Sequence, residues 1–252
     1  MKLSQILSVI DRAAPFATAL SFDNAGLLCG DPEKEIKTVL LSLDVTYDVI
    51  DEAERLGADL ILTHHPALFR EQKQFRPSDR VFRLIQKNIA AVAAHTNLDI
   101  ASGGVNDVLA AQIGLKEVCD WQGSSPDLIG RIGTLDAPVP LQEYARRVGA
   151  VLNANHIRFA DGGRPVHKVA VCGGAGGDQW EELLSTDVNT LVTGEAKYQH
   201  FLEAAQAGIN LIEAGHFATE VIVLPVLDRL LKAADPSLQI YYSAETDPVR
   251  KL

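Results

Sequence analysis

Three stretches of this chain put histidines where an apolar run ends. Leu60-Ile61-Leu62-Thr63 runs into His64-His65-Pro66, and Ala91-Val92-Ala93-Ala94 into His95-Thr96-Asn97-Leu98-Asp99. Asn210-Leu211-Ile212-Glu213 leads to Gly215-His216-Phe217-Ala218-Thr219-Glu220. Imidazoles completed by carboxylate oxygens suit Zn, Mn, Fe or Ni. Side chains alternate along extended backbone, so adjacent histidines diverge, and Pro66 biases His65 toward the extended region. One ion is hard for both rings to share. Two ions about 3.5–4 Å apart, each taking one imidazole, resolve that geometry and form a catalytic arrangement. Asp99, four residues after His95 and next to a glycine turn, can reach an ion held at the His64-His65 end. Glu220 falls about one turn from His216 if a helix begins near Ala218, and can bridge two ions.

Each residue also has a plainer role. One histidine of the pair can cap a loop while the other is buried and hydrogen-bonded, and His95 can be a core histidine. Asp99 can cap the helix expected near Val105 to Ala111, and Glu220 can answer a helix dipole. What favours the metal reading is that all three sites fall at expected strand ends, where neighbouring parallel strands open onto one crevice.

The elements that would position these ends are regular. Residues 3–14 read as a helix ended by Pro15, and Ser21 to Gly30 as a glycine-containing loop and short strand. Strands at Thr38–Leu43, Leu60–Thr63 and Ile89–Ala94 then alternate with helices at Tyr47–Leu56 and Asp79–Lys87, the signature of βαβ units. The pattern recurs as strands at Lys168–Val171, Val188–Thr193 and Ile209–Glu213 with helices at Asp178–Leu184 and Tyr198–Ala207. Val39 and Thr63 are 24 positions apart, and so are Val169 and Thr193. A constant offset of 130 also relates Asp48 to Asp178 and sets His65 against Glu195. The expected fold is α/β: two duplicated halves with mixed or parallel sheets flanked by helices, divided as residues 1–122 and 123–252. Asp120–Asp127 and Leu135–Pro140 read as loops at that boundary, and Gln142–Val148 as a short helix. Pro225 should kink or delay the last helix.

Composition sets the class. The chain has 252 residues, 47% of them hydrophobic and 22% charged, which suits an ordinary globular protein. No apolar run approaches the ~20 residues of a membrane span. Three scattered cysteines without a CxxC pair suit reduced thiols in a cytoplasmic protein. A net charge of −10 makes nucleic acid an unlikely partner without a local basic patch, and no cluster of Lys and Arg stands out.

Thr63-His64-His65-Pro66, His95 to Asp99 with Gly104-Val105-Asn106-Asp107, Thr193-Gly194-Glu195 and Gly215 to Glu220 together resemble the NGG-interacting-factor-three-like family. Its bacterial members often carry the name GTP cyclohydrolase I type 2 homologue. Phe22-Asp23-Asn24-Ala25-Gly26-Leu27 belongs to the same pattern, with Phe22 where the family often has Trp, and the resemblance runs nearly end to end. It implies a toroidal homohexamer of two intertwined α/β halves with a dinuclear metal site facing the interior. On matching positions the ligands would be His64, His65, Asp99, His216 and Glu220, with His95 close by. The extra domain that longer members carry between the halves is missing here.

The expected function is metal-dependent hydrolysis of a nucleotide or related small molecule by hydroxide held between two divalent ions, with His95 moving the proton and Glu220 both ligand and catalytic group. The competing readings are a ring-shaped scaffold or metal-handling protein without catalysis, and regulatory nucleotide binding at Val171-Cys172-Gly173-Gly174-Ala175-Gly176-Gly177-Asp178. That glycine run can cradle phosphate or be a tight, closely packed turn; it lacks the Lys-Ser/Thr ending of a P-loop, and Asp178 would repel an anion.

Overall fold

The computed structural model describes residues 1–124 and 128–250. Among them the strands in chain order are β1 (Gly26–Cys29), β2 (Thr38–Ser42), β3 (Leu60–Thr63), β4 (Ala90–Ala93), β5 (Lys116–Asp120), β6 (Arg131–Val139), β7 (Arg158–Ala160), β8 (Val166–Cys172), β9 (Thr190–Thr193), β10 (Asn210–Glu213) and β11 (Gln239–Tyr242). They form two sheets, ordered β1-β4-β3-β2-β11 and β5-β6-β8-β9-β10-β7. The chain divides into two compact units: Met1–Gly104 with Val223–Thr246, and Val105–Ile222 with Asp247–Leu252. Each unit therefore contains two separate lengths of chain.

In the first unit β2, β3 and β4 run parallel, with Ser42 opposite Thr63 and Thr63 opposite Ala93. Every residue of these three strands is buried, as expected of a sheet covered on both faces. The helix Tyr47–Leu56 begins where the Thr46 hydroxyl accepts the Val49 N–H at 3.2 Å and stops at Gly57, whose φ of 64° the left-handed turn demands. Its apolar face, Val49, Ile50 and Ala53, packs with Leu40, Ile61 and Ala91 from the sheet. β1 adds an antiparallel edge beside β4, and β11 pairs in parallel with β2.

The second unit repeats the parallel core with the same register. Cys172 lies opposite Thr193, as Ser42 lies opposite Thr63, at the offset of 130 read from the sequence. β7 is the antiparallel edge beside β10, the counterpart of β1 beside β4. Alternate residues of its strands feed two cores: Val169, Val171, Val192 and Ile212 join the helix Leu141–Val151 on one face, and Ala170, Cys172, Leu191 and Leu211 join Trp180 and Leu183 on the other.

Three local expectations change. Leu135 to Pro140 is not a boundary loop: Leu135 to Val139 close the long strand β6, where burial alternates through Arg131, Gly133 and Leu135. Pro138 is tolerated because the ladder with β8 is interrupted between Thr134 and Val139. Of the loop expected over 120–127, Asp120 ends β5, 121–124 are irregular, and 125–127 lie outside the described residues. The segment after the glycine run is a 3-10 helix, Gly177–Ser185, where an α-helix was expected. Pro225 acts as anticipated: the chain passes through a 3-10 turn at Val221–Val223, and the helix Leu224–Ala234 starts with the proline in its first turn.

Candidate metal centre

In the first unit the end of β3 carries His64 and His65, and the end of β4 carries His95. One ring nitrogen of each of these histidines lies within 4.8 Å of the others. Ring centroids are 5.0 Å apart for His64 and His65, 5.1 Å for His64 and His95, and 5.4 Å for His65 and His95. The divergence expected of the adjacent pair shows in their anchors. His64 Nδ1 lies 2.8 Å from the Ala94 carbonyl beyond β4, and His65 Nδ1 lies 3.0 Å from Asp44 Oδ1 beyond β2. Both residues stand past the last strand position, Thr63, so strict alternation no longer separates the rings.

His95 is anchored in the same manner. Its Nδ1 lies 2.7 Å from Asp23 Oδ1, and Asp23 Oδ2 accepts from the Thr96 N–H at 3.1 Å and from its hydroxyl at 2.5 Å. Burial alone would raise the Asp23 pKa, but these hydrogen bonds from His95 and Thr96 outweigh it and hold the carboxyl at about 2. Asp23 is thus an anion at neutral pH and keeps the proton of His95 on Nδ1. The short helix Thr96–Ile100 then turns Asp99 back, with Oδ1 3.5 Å from His64 Nε2.

The second unit builds a parallel arrangement at the end of β10. A five-residue helix, His216–Glu220, sets the Glu220 carboxylate Oε2 3.0 Å from His216 Nε2, while His216 Nδ1 lies 2.9 Å from Glu195 Oε1. The helix begins at His216 itself, two residues earlier than expected. Glu195 follows β9 as His65 follows β3. A cavity of about 600 Å³ opens beside His216, lined also by Glu195, Lys197, His200, Arg158 and Glu213. Glu213 is buried and bonded to Arg158, whose Nε lies 2.8 Å away, and to the Ala196 N–H.

The donor chemistry fits divalent ions. All four histidines fix Nδ1 on an oxygen acceptor, which sets the tautomer and leaves Nε2 with the lone pair, the arrangement usual behind metal-bound imidazoles. Three of those acceptors are carboxylates that sequence reasoning left without this role. Asp23 was only part of a motif, Glu195 only the counterpart of His65, and Asp44 went unnoticed although it too lies just beyond a strand.

The glycine run is now legible as close packing. A Cβ on Gly174 would sit 2.1 Å from Glu220 Oε1 and 3.1 Å from His216 Nε2, at a φ of 63° that disfavours any side chain. The Gly173 N–H is taken by Asn106 Oδ1 at 2.9 Å, and the Gly174 N–H by Thr219 Oγ1 at 3.1 Å. Gly174→Ala should therefore push Glu220 aside. We expect at least about a tenfold loss of metal affinity with the far-ultraviolet circular dichroism unchanged, measured by chelator competition; undisturbed affinity would mean that Glu220 holds no ion.

Known proteins agree with this architecture. The chain is 32% identical to a "GTP cyclohydrolase 1 type 2 homolog" of Clostridium perfringens, over 98% of both chains. It is 34% identical to a protein of the same name from Streptomyces coelicolor, over 87% of this chain and 81% of the relative. Among solved structures, a Staphylococcus aureus hypothetical protein, SA1388, superposes with a TM-score of 0.90 at 26% identity, covering 100% of this chain and 99% of that one. Reduced HcgD from Methanocaldococcus jannaschii superposes with a TM-score of 0.83 at 26% identity, over 97% and 98%. The profile of Duf34/NIF3 (NGG1p interacting factor 3) matches residues 1–248, and the chain belongs to that family.

Proposed function

We propose that the chain binds two divalent ions through His64, His65 and Asp99 of the first unit and His216 and Glu220 of the second, and hydrolyses a nucleotide or a related small molecule. The observation that carries this reading is the shared wiring of the histidines: in each unit Nδ1 is held by an oxygen and Nε2 faces a neighbouring donor, His64 toward Asp99 and His216 toward Glu220. The name carried by the curated relatives supports a nucleotide substrate. No helix among the described residues is long and apolar enough to cross a membrane.

When bound, the ions would polarise the substrate and make water nucleophilic near neutral pH. The protein supplies the rest. Asp44, Asp23 and Glu195 orient the imidazoles, Asp99 and Glu220 offset positive charge, and His95, with its proton fixed on Nδ1, can accept another at Nε2 from attacking water and return it to the leaving group. Chain purified without chelator should carry about two divalent ions by elemental analysis and turn over a member of a nucleotide library, with turnover lost in Glu220→Gln. Fewer than about one ion per chain would sink the proposal; ions without turnover would leave a metal-handling protein in its place.

A further inference from the structure

The loop that leaves the histidine pair, from Pro66 to Arg80, has charge of its own. Arg70, Lys73, Arg76 and Arg80 stand against Glu71 and Asp79, a local excess of two positive charges in a chain of net −10. The cations are spaced three and four residues apart, so they do not stand out as a cluster in the sequence. The folded loop encloses a concavity of about 420 Å³ lined by Gln72, Lys73, Gln74, Arg76, Ser78 and Asp79. Asp79 is occupied within the loop: its Oδ2 accepts from Gln72 Nε2 at 2.9 Å and from the Arg76 N–H at 2.6 Å. Arg80 is tied to the Val45 carbonyl at 3.1 Å, whereas Arg70, Lys73 and Arg76 form no side-chain ion pair among the described residues. Beside the Asp79 carboxylate, which the bonds from Gln72 and Arg76 engage, the hollow is lined by two cations without an ion pair, two amides and a hydroxyl, groups that donate to oxyanions.

The loop is also fixed beside the candidate metal ligands. Asn24 Nδ2 donates to the Leu68 carbonyl at 2.6 Å, and the Tyr47 hydroxyl donates to the Ser78 carbonyl at the far end. Between them the exposed Phe69 ring meets His95 edge-on, with centroids 5.5 Å apart. Phe22, also exposed, adjoins Asp23, the anchor of His95. An aromatic face at the histidines, followed within a few residues by a donor-lined hollow, suits a ligand that is a flat ring at one end and an anion at the other.

We propose that the loop from Arg70 to Asp79 binds the phosphate of a nucleoside-phosphate substrate, with Lys73 and Arg76 as its charged contacts. This deepens the nucleotide reading above and rests on it for the placement of the reacting end. The probes are the four nucleoside 5′-monophosphates and their nucleosides, titrated into the metal-bearing protein by calorimetry. For at least one base the monophosphate should bind at least about tenfold more tightly than its nucleoside. That ratio should fall toward one in Lys73→Ala/Arg76→Ala, survive in Lys73→Arg and shrink with added salt. A ratio unchanged in the double variant, no monophosphate binding at all, or an altered assembly size caused by the double variant would overturn the proposal, the last by assigning the loop to contact between copies. Metal content measured on the same samples separates the two readings: phosphate discrimination without bound ions would refute the metal centre and leave the loop's role standing.

Discussion

His65→Ala is expected to cost at least about a hundredfold in metal affinity, and protein isolated from it should carry markedly fewer ions than wild type. Losing a partner behind a ligand already costs about 10–100-fold, and losing the ligand itself must cost more. His65 is a better target than His64. The His64 ring is wholly buried and bonded to the Ala94 carbonyl, so its removal opens a cavity and leaves a buried acceptor unpaired, lowering stability for reasons unrelated to metal. His65 is partly exposed, and its anchor Asp44 is more so, so both can rehydrate. Asp44→Ala should reproduce the defect in weaker form, within the 10–100-fold range. Elemental analysis after gel filtration and competition with a chromophoric chelator give the two numbers. Wild-type ion content in His65→Ala would return the residue to the plainer role of a hydrogen-bonded loop histidine.

How far the fold could be read depended on burial. β2, β3, β4, β8, β9 and β10 lie inside parallel sheets, where both faces are covered and the sequence becomes one apolar run, so their positions and the offset of 130 are visible. The edge strands carry no such mark. All five residues of β5 are exposed, β11 has one half-buried residue among exposed ones, and β7 buries little. β7 and β11 pair with neighbours far away in the chain, while β5 pairs with the next strand, β6, which hides behind Asp136 and Pro138. The site divides in a similar way. Histidines are few enough that four at three strand ends are conspicuous, but the carboxylates that orient them are not: Asp23 reaches His95 across 72 positions, and aspartate is common in loops. Asp44 and Glu195 could have been found by asking which residue follows every parallel strand, including those without a histidine. The glycine run shows the same limit, since its reason, a carboxylate 2.1 Å from where a Cβ would be, is tertiary.

The second large effect separates catalysis from metal binding. His95→Ala is expected to lower kcat by about 10²–10⁴, the range for removing a positioned acid–base group, with the ion content of wild type. The prediction has force because geometry allows two roles: a His95 ring nitrogen lies within 4.8 Å of one on His64 and one on His65, so the residue could equally be a ligand. The anchors decide what should be seen. Asp23, held as an anion by the hydrogen bonds from His95 and Thr96, orients the His95 ring, so Asp23→Asn should lower kcat less than His95→Ala does, with bound ions retained. Loss of ions in His95→Ala, in contrast, would place it among the ligands and leave the proton to another residue.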